Sequence, residues 1–232
     1  MKFEAEVVEL IQRTPHMKSI RFTRPNDFSY LPGQFIFITL KDEESEITKH
    51  FSISSSPTED FLEITKRLTG HPFSNALNAL KVGDMVLLNG PFGKFTLAGE
   101  HKKVGMISGG VGIAPLRSMI KYSFDKGLDT DIILLNSNRS EEDIAFNEEF
   151  KTMQRQNANI KIVNTATRPE PSWTGLRGRI DAELIQKYIP DFNERIIYTC
   201  GPRKMVDSML ALLKELKVPT SQIRTEYFPG YD

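Results

Sequence analysis

Three stretches of this chain carry residue types suited to holding a flat redox ring and a diphosphate. The first is Lys49-His50-Phe51-Ser52-Ile53-Ser54-Ser55. A cation, an aromatic ring and several hydroxyls on one strand and its exit can neutralise a phosphate, stack on a planar ring and hydrogen-bond its edge. An ordinary strand running into a serine-rich loop would read the same way. The second is Ile107-Ser108-Gly109-Gly110-Val111-Gly112-Ile113-Ala114-Pro115, between an apolar strand and a helical pattern. Small residues there let a pyrophosphate approach backbone N–H groups at a helix N-terminus. Pro115 suits the first helical turn, where a missing N–H costs nothing, although it stands where the dinucleotide fingerprint has its third glycine. A glycine-rich turn of this kind can also be purely structural. The third is Tyr198-Thr199-Cys200-Gly201-Pro202, at the end of the last strand before the last helix. Open parallel sheets bind ligands at such carboxyl ends, while a lone buried cysteine reads equally well as a small inert hydrophobe.

The elements that must position these stretches follow from hydrophobic periodicity. Short β-rich runs cover residues 3–10, 19–23, 34–40, 51–54, 61–66 and 85–88, with a turn at Leu31-Pro32-Gly33. One helix is expected over residues 72–80, where Phe73, Ala76, Leu77 and Leu80 share a face. Many short strands with one helix predict a small closed antiparallel barrel. Beyond about residue 100 the pattern changes. Apolar strands over 104–108, 131–135, 160–163 and 195–199 alternate with helices over 115–126, 144–156, 182–187 and 204–216. That alternation means βαβ units and a parallel sheet. The expected fold is therefore two domains, an N-terminal antiparallel β-barrel over residues 1–100 and a C-terminal α/β nucleotide-binding domain over 101–232.

Composition narrows the function classes. Lys plus Arg and Asp plus Glu are 30 each, so no global field draws the chain to nucleic acid or to an anionic membrane. A single cysteine, Cys200, can make no internal disulfide and cannot hold an iron–sulfur cluster by itself. It points to a reducing compartment, the cytoplasm. The first twenty residues alternate charged and apolar side chains and do not read as a signal peptide. No apolar run reaches the roughly 18 residues of a membrane span. No metal site is read.

Taken in order, the three motifs make the chain resemble the ferredoxin–NADP⁺ reductase family of FAD proteins over nearly its whole length. The family's barrel pattern is Arg-x-Tyr-Ser-x-x-Ser, a Gly-x-x-Ser loop and a Gly-Pro-Phe-Gly turn. Here these are Lys49 to Ser55 as quoted above, Gly70-His71-Pro72-Phe73-Ser74, and Gly90-Pro91-Phe92-Gly93. Its nucleotide half has Gly-Gly-x-Gly-x-x-Pro, an Asn-Arg pair and Cys-Gly-Pro, which are here Gly109, Gly110, Gly112 and Pro115, then Asn138-Arg139, then Cys200-Gly201-Pro202. The chain departs from the family in having lysine at 49 for arginine and phenylalanine at 51 for tyrosine.

The resemblance implies that the barrel holds FAD, that the α/β domain holds NADPH or NADH, and that the two rings meet between them. It implies that Phe51 packs on the isoalloxazine, that Ser52 hydrogen-bonds near N5, and that Lys49 faces the FAD pyrophosphate with Ser74 and the start of the short helix. His50, Ile53, Ser54, Ser55, Gly70 and Phe73 belong to the same FAD motifs. Gly109, Gly110, Gly112 and Pro115 would underlie the NAD(P)H pyrophosphate, and Thr199, Cys200, Gly201 and Pro202 would lie by the nicotinamide. Asn138 and Arg139 would meet the adenosine ribose, and an arginine there favours NADPH through its 2′-phosphate. The tail, Thr225-Glu226-Tyr227-Phe228-Pro229-Gly230-Tyr231-Asp232, resembles the family's Glu-x-aromatic ending, which puts Glu226 near the reacting centre and Phe228 beside the ring. Ser52, Cys200 and Glu226 are thus the expected catalytic set. The activity implied is reduction of FAD by NAD(P)H with electrons passed to a separate redox protein, a ferredoxin or flavodoxin. The alternative is a reductase that uses free flavin as substrate.

Overall fold

The computed structural model describes residues 1–41 and 46–228. The tail residues Pro229, Gly230, Tyr231 and Asp232, part of the expected Glu-x-aromatic ending, lie outside the described residues.

The N-terminal strands are β1 (Lys2–Thr14), β2 (Met17–Thr23), β3 (Phe35–Lys41), β4 (Glu46–Ser52), β5 (Phe61–Arg67) and β6 (Met85–Phe92), with helix α1 (Pro72–Ala79) between the last two. They pair in the order β4-β3-β6-β1-β2-β5, every pair antiparallel. A single antiparallel bridge, Ile53 to Ile64, joins the exit of β4 to β5 and closes the barrel. Period-two burial explains the curl. Ala5 and Val7 on β1, Ile20 and Phe22 on β2, Ile36 and Ile38 on β3, and Leu62 and Ile64 on β5 point inward and form one core. Glu4 and Glu6 alternate with them and face out.

The second half contains β7 (Lys103–Gly109), α2 (Ile113–Asp125), β8 (Asp131–Asn138), α3 (Asn147–Gln156), β9 (Ile160–Ala166), β10 (Leu176–Arg177), α4 (Ala182–Tyr188), β11 (Ile196–Pro202), α5 (Arg203–Glu215) and β12 (Ile223–Phe228). The sheet runs β10-β9-β8-β7-β11-β12 and is parallel throughout. Val104, Met106, Ile132, Leu134 and Tyr198 pack under α2 and α3. Ile107, Ile133, Leu135 and Ile197 pack under α4 and α5. The chain starts at β7, moves out through β8 and β9, and returns to β11 on the other side of β7. The switch point therefore falls between β7 and β11, where open α/β sheets bind their ligands. Among the described residues, no helix is long and apolar enough to cross a membrane.

Three local expectations are corrected. The strand β12 was not foreseen, because Ile223-Arg224-Thr225-Glu226-Tyr227-Phe228 is a half-exposed edge without an apolar run. The third helix starts at Asn147 rather than 144, because Phe146 takes a left-handed backbone, φ 60°. Asn138 ends β8 rather than following it.

The two halves share a core. Met17 of β2, with Phe95 and Leu97 after the barrel, joins the cluster under α2. Tyr198 Oη donates to the Thr96 carbonyl at 2.8 Å, and its ring meets Phe95 edge-on at 5.3 Å. Gly33 lies on this seam at φ +99°; a Cβ there would stand 2.2 Å from the Phe95 carbonyl oxygen and 2.4 Å from Met119 Cε on α2. Gly33→Ala therefore combines left-handed strain with overpacking against an immovable backbone. It is expected to lower stability by about 2–4 kcal/mol, read from urea unfolding; an unchanged midpoint would contradict this packing.

Candidate functional site

The barrel rim and the carboxyl edge of the parallel sheet face each other across a cavity of about 550 Å³, within the usual range for small-molecule sites. Lys49, His50, Phe51 and Ser52 reach it from β4, Phe73 and Ser74 from α1, and Glu226 and Phe228 from β12. Ser52 Oγ donates to Glu226 Oε2 at 3.1 Å, bridging 174 positions of sequence. Glu226 lies in register with Cys200 on β11, and Cys200 with Ser108 on β7. The expected trio Ser52, Cys200 and Glu226 is thus brought to one place by two different sheets.

The nucleotide side is a close-packed cradle. Gly110, Val111 and Gly112 form one 3₁₀ turn leading into α2, with Pro115 in its first turn. A Cβ on Gly112 would stand 2.3 Å from the Cys200 carbonyl oxygen, so the turn touches the end of β11 directly. The Cys200 thiol donates to the Gly112 carbonyl at 3.0 Å. Burial, then the charge of Glu226, pushes that thiol well above its usual range, which favours its neutral form. Strand alternation puts Thr199 on the sheet face opposite Cys200. Four buried polar atoms near these strand ends have no partner among the described residues: Ser108 Oγ, Asn136 Oδ1, Asn138 Nδ2 and Thr199 Oγ1. Unpaired buried groups of this kind are costly unless a ligand or water meets them.

Two family models match in chain order. The one described as an oxidoreductase FAD-binding domain covers residues 4–97, and the one described as an oxidoreductase NAD-binding domain covers residues 106–210. The glycine betaine monooxygenase reductase subunit of Chromohalobacter salexigens is 31% identical over 230 residues, which is 95% of this chain and 62% of that one. The chain thus spans about three fifths of that relative's length. Ferredoxin–NADP reductase B of Sorangium cellulosum is 28% identical over 97% of each chain. Among solved structures, the FAD/NAD-binding domain of nitric oxide dioxygenase from Vibrio cholerae O1 biovar El Tor superposes with a TM-score of 0.88, covering 97% of this chain and 98% of that one at 23% identity. That last likeness speaks for the fold. The chain belongs to the ferredoxin–NADP⁺ reductase-like family.

The family's cofactors are FAD and NAD(P)H; the glycine turn against the end of β11 offers the nucleotide a cradle, and the cavity suits the flavin. Two lysines, Lys49 and Lys66, line it. Burial, then the neighbouring charge of Lys49, lowers Lys66 to about 8; its Nζ lies 5.7 Å from the centre of the Phe51 ring. A bound diphosphate would relieve that repulsion. Phe51 stacks on Phe73 with ring centres 5.7 Å apart and planes 18° apart, an aromatic wall for a flat ring. Ser74 Oγ accepts from the Thr69 N–H at 3.1 Å, tying the loop with Gly70 to the start of α1. The orphaned polar atoms and the Gly112 cradle lie on the nucleotide side.

Not every expected residue reaches the cavity. Ile53 is in the barrel core. Ser54 Oγ donates to Glu63 at 3.0 Å, and Ser55 Oγ lies 3.0 Å from Tyr30 Oη, so both side chains serve a buried polar network. Arg139 is exposed beyond the end of β8. The sequence reading missed Lys66, which shows only as one member of a β-rich run. It also missed Arg117, which carries no local signature.

Among the described residues, Glu226 is the one acidic group lining the cavity. Burial pushes its carboxyl up to about 7, and the hydrogen bond from Ser52 opposes that shift. The folded chain therefore holds this proton more tightly than the unfolded chain, whose ordinary value is 4.5. The stabilising contribution is complete below that value and is lost as pH rises through the folded one. In the cofactor-free protein, Glu226→Gln is expected to remove a stability loss between about pH 5 and about pH 8 whose slope is at most about 1.4 kcal/mol per pH unit. Urea midpoints at the two ends check this; parallel pH profiles for both proteins would refute it.

Proposed function

We propose that this chain is an NAD(P)H-dependent FAD reductase that passes electrons to a separate redox protein such as a ferredoxin or flavodoxin. The observation that carries the reading is the 3.1 Å Ser52–Glu226 contact, which joins the FAD-type barrel motif to the nucleotide-type sheet edge inside one cavity. Hydride transfer demands aligned donor and acceptor carbons more than an acid or a base, and this architecture supplies alignment. The relatives' names, a monooxygenase reductase subunit and a ferredoxin–NADP reductase, support a protein acceptor.

In this reading the division between the two binding domains falls near residue 100. Lys49, Lys66 and Ser74, with backbone N–H groups at the start of α1, hold the FAD pyrophosphate; Phe51 packs on its ring and Phe228 flanks it. Gly109, Gly110, Gly112 and Pro115 admit the NAD(P)H pyrophosphate, and Cys200, Gly201 and Pro202 shape the nicotinamide pocket. Together the bound cofactors supply two-electron hydride chemistry on one side and single-electron delivery on the other. Ser52 donates a hydrogen bond at the reacting edge, and Glu226, lifted to about 7 by burial, can hold and release a proton beside it near neutrality.

The reading favours NADPH. The Arg168 N–H donates to the Arg139 carbonyl at 2.7 Å, so two exposed arginines sit side by side past the ends of β8 and β9. A 2′-phosphate would meet both, whereas a free 2′-hydroxyl would use neither charge.

Purified protein should be yellow, keep its flavin through gel filtration, and bleach on anaerobic mixing with NADPH. Colourless protein that turns over only with added flavin would replace this reading with the free-flavin reductase. Flavin that stays oxidised with both nucleotides would end it. Arg139→Ala should cut the ratio of kcat/KM for NADPH over NADH by roughly tenfold or more; an unchanged ratio would remove Arg139 from nucleotide choice.

A further inference from the structure

The two ring-binding surfaces belong to different halves of the chain, so their separation must be fixed by contacts between the halves. One side chain dominates those contacts. Arg117 sits on α2, two positions beyond Pro115, and is only 2% exposed. Its guanidinium crosses to the barrel side, where Nη1 donates to the Ser54 carbonyl at 3.0 Å and Nη2 donates to Glu59 Oε1 at 2.9 Å. Nη1 also pairs with Glu59 Oε2. On its own side Nε donates to Glu149 Oε2 at 3.3 Å, and Nη2 pairs with Glu149 Oε1. All three guanidinium nitrogens are engaged. Ser118, the next residue, donates from Oγ to the Ser55 carbonyl at 2.6 Å.

Ser54 and Ser55 are the continuation of the strand that presents Phe51 and Ser52. Arg117 and Ser118 are the continuation of the turn that contains Gly112. A rigid planar fork therefore couples the two surfaces within a few residues of each. We propose that Arg117 is a positioning residue that clamps the strand exit after Ser52 to α2 and thereby sets the gap across which the bound rings must meet.

This proposal rests on the reductase reading above. The charges explain why the clamp is specific. Two carboxylates, Glu59 from the barrel loop and Glu149 from α3, share one cation. Without it they would repel each other across a half-buried seam. A lysine restores the charge but, as a point donor, cannot serve the Ser54 carbonyl and both carboxylates in the same planar geometry. A large domain motion is unnecessary for an effect, because about 1 Å of misplacement can cost a hydride donor on the order of 100-fold in rate.

The test uses the flavin-loaded full chain with two exposed positions, Lys81→Cys in the barrel half and Lys187→Cys on α4, carrying spin labels; Cys200 is buried. The parent should show one narrow distance distribution. Arg117→Lys and Glu59→Gln should broaden or shift it. Flavin content and affinity for oxidised NADP⁺ should stay within about twofold, while flavin reduction at saturating NADPH should slow by at least about tenfold in Arg117→Lys and several-fold in Glu59→Gln. An unchanged distribution with a full reduction rate would overturn the proposal, as would loss of flavin in both variants with the parent distance retained. If Arg117→Lys fails to fold, Glu59→Gln decides alone, since it alters only the loop side of the clamp. A parent that NADPH does not bleach would sink the reductase reading, and the distance distributions would still decide the clamp.

Discussion

The structure depends on a buried seam between a strand exit of the barrel and a helix of the parallel sheet. The site exists only where the two meet: Phe51 and Ser52 come from one side, Glu226 and the Gly112 turn from the other. The seam joins an apolar layer, Met17, Phe95 and Leu97 against α2, to a layer of charge. Arg117 with Glu59 and Glu149 lies beside Glu63 with Arg13 and Arg21, three cations against three carboxylates. The Arg13 and Arg117 guanidiniums both approach the Phe146 ring, at 4.6 and 5.6 Å from its centre. Buried ion pairs contribute little net stability but penalise wrong geometry heavily, because any displaced partner is left charged and dry. The apolar layer supplies adhesion, and the charged layer supplies register.

The same seam arranges the electrostatics of the cavity. Its barrel end carries Lys49 and Lys66, suited to phosphate. Its β12 end carries a carboxyl that burial lifts to about 7, with a thiol beside it that burial pushes well above its usual range. Positive charge is thus gathered at the barrel end of the cavity, and the Glu226 end carries a reduced negative charge beside one donor hydroxyl. The unpartnered Ser108, Asn138 and Thr199 atoms extend that polar surface under the glycine-rich turn.

Much of this was legible in the sequence because it is local. Strand–turn–helix glycines, a proline in a first helical turn and a Cys-Gly-Pro at the end of a buried strand each state their geometry within a few residues, and alternation against 3.6-residue periodicity separates the barrel from the α/β half. What escaped depends on partners far along the chain. Arg117 reads as an ordinary helix residue until Glu59 and Ser54 are brought to it. Ser54 and Ser55 look like ligand hydroxyls until Glu63 and Tyr30 claim them. The strand β12 has no apolar run of its own; pairing with β11 makes it a strand. Phe146 delays the start of α3 through a backbone conformation that no side-chain pattern announces.

Direct contact between a hydride donor and a flavin across this seam would show in a single turnover with NADPH carrying deuterium at the transferred position. Bleaching of the bound flavin is then expected to slow by a primary isotope effect, about two-fold or more, and not to depend on protein concentration. Bleaching with no isotope effect, at a rate that rises with protein concentration, would mean that electrons arrive by another route, and the account would be wrong.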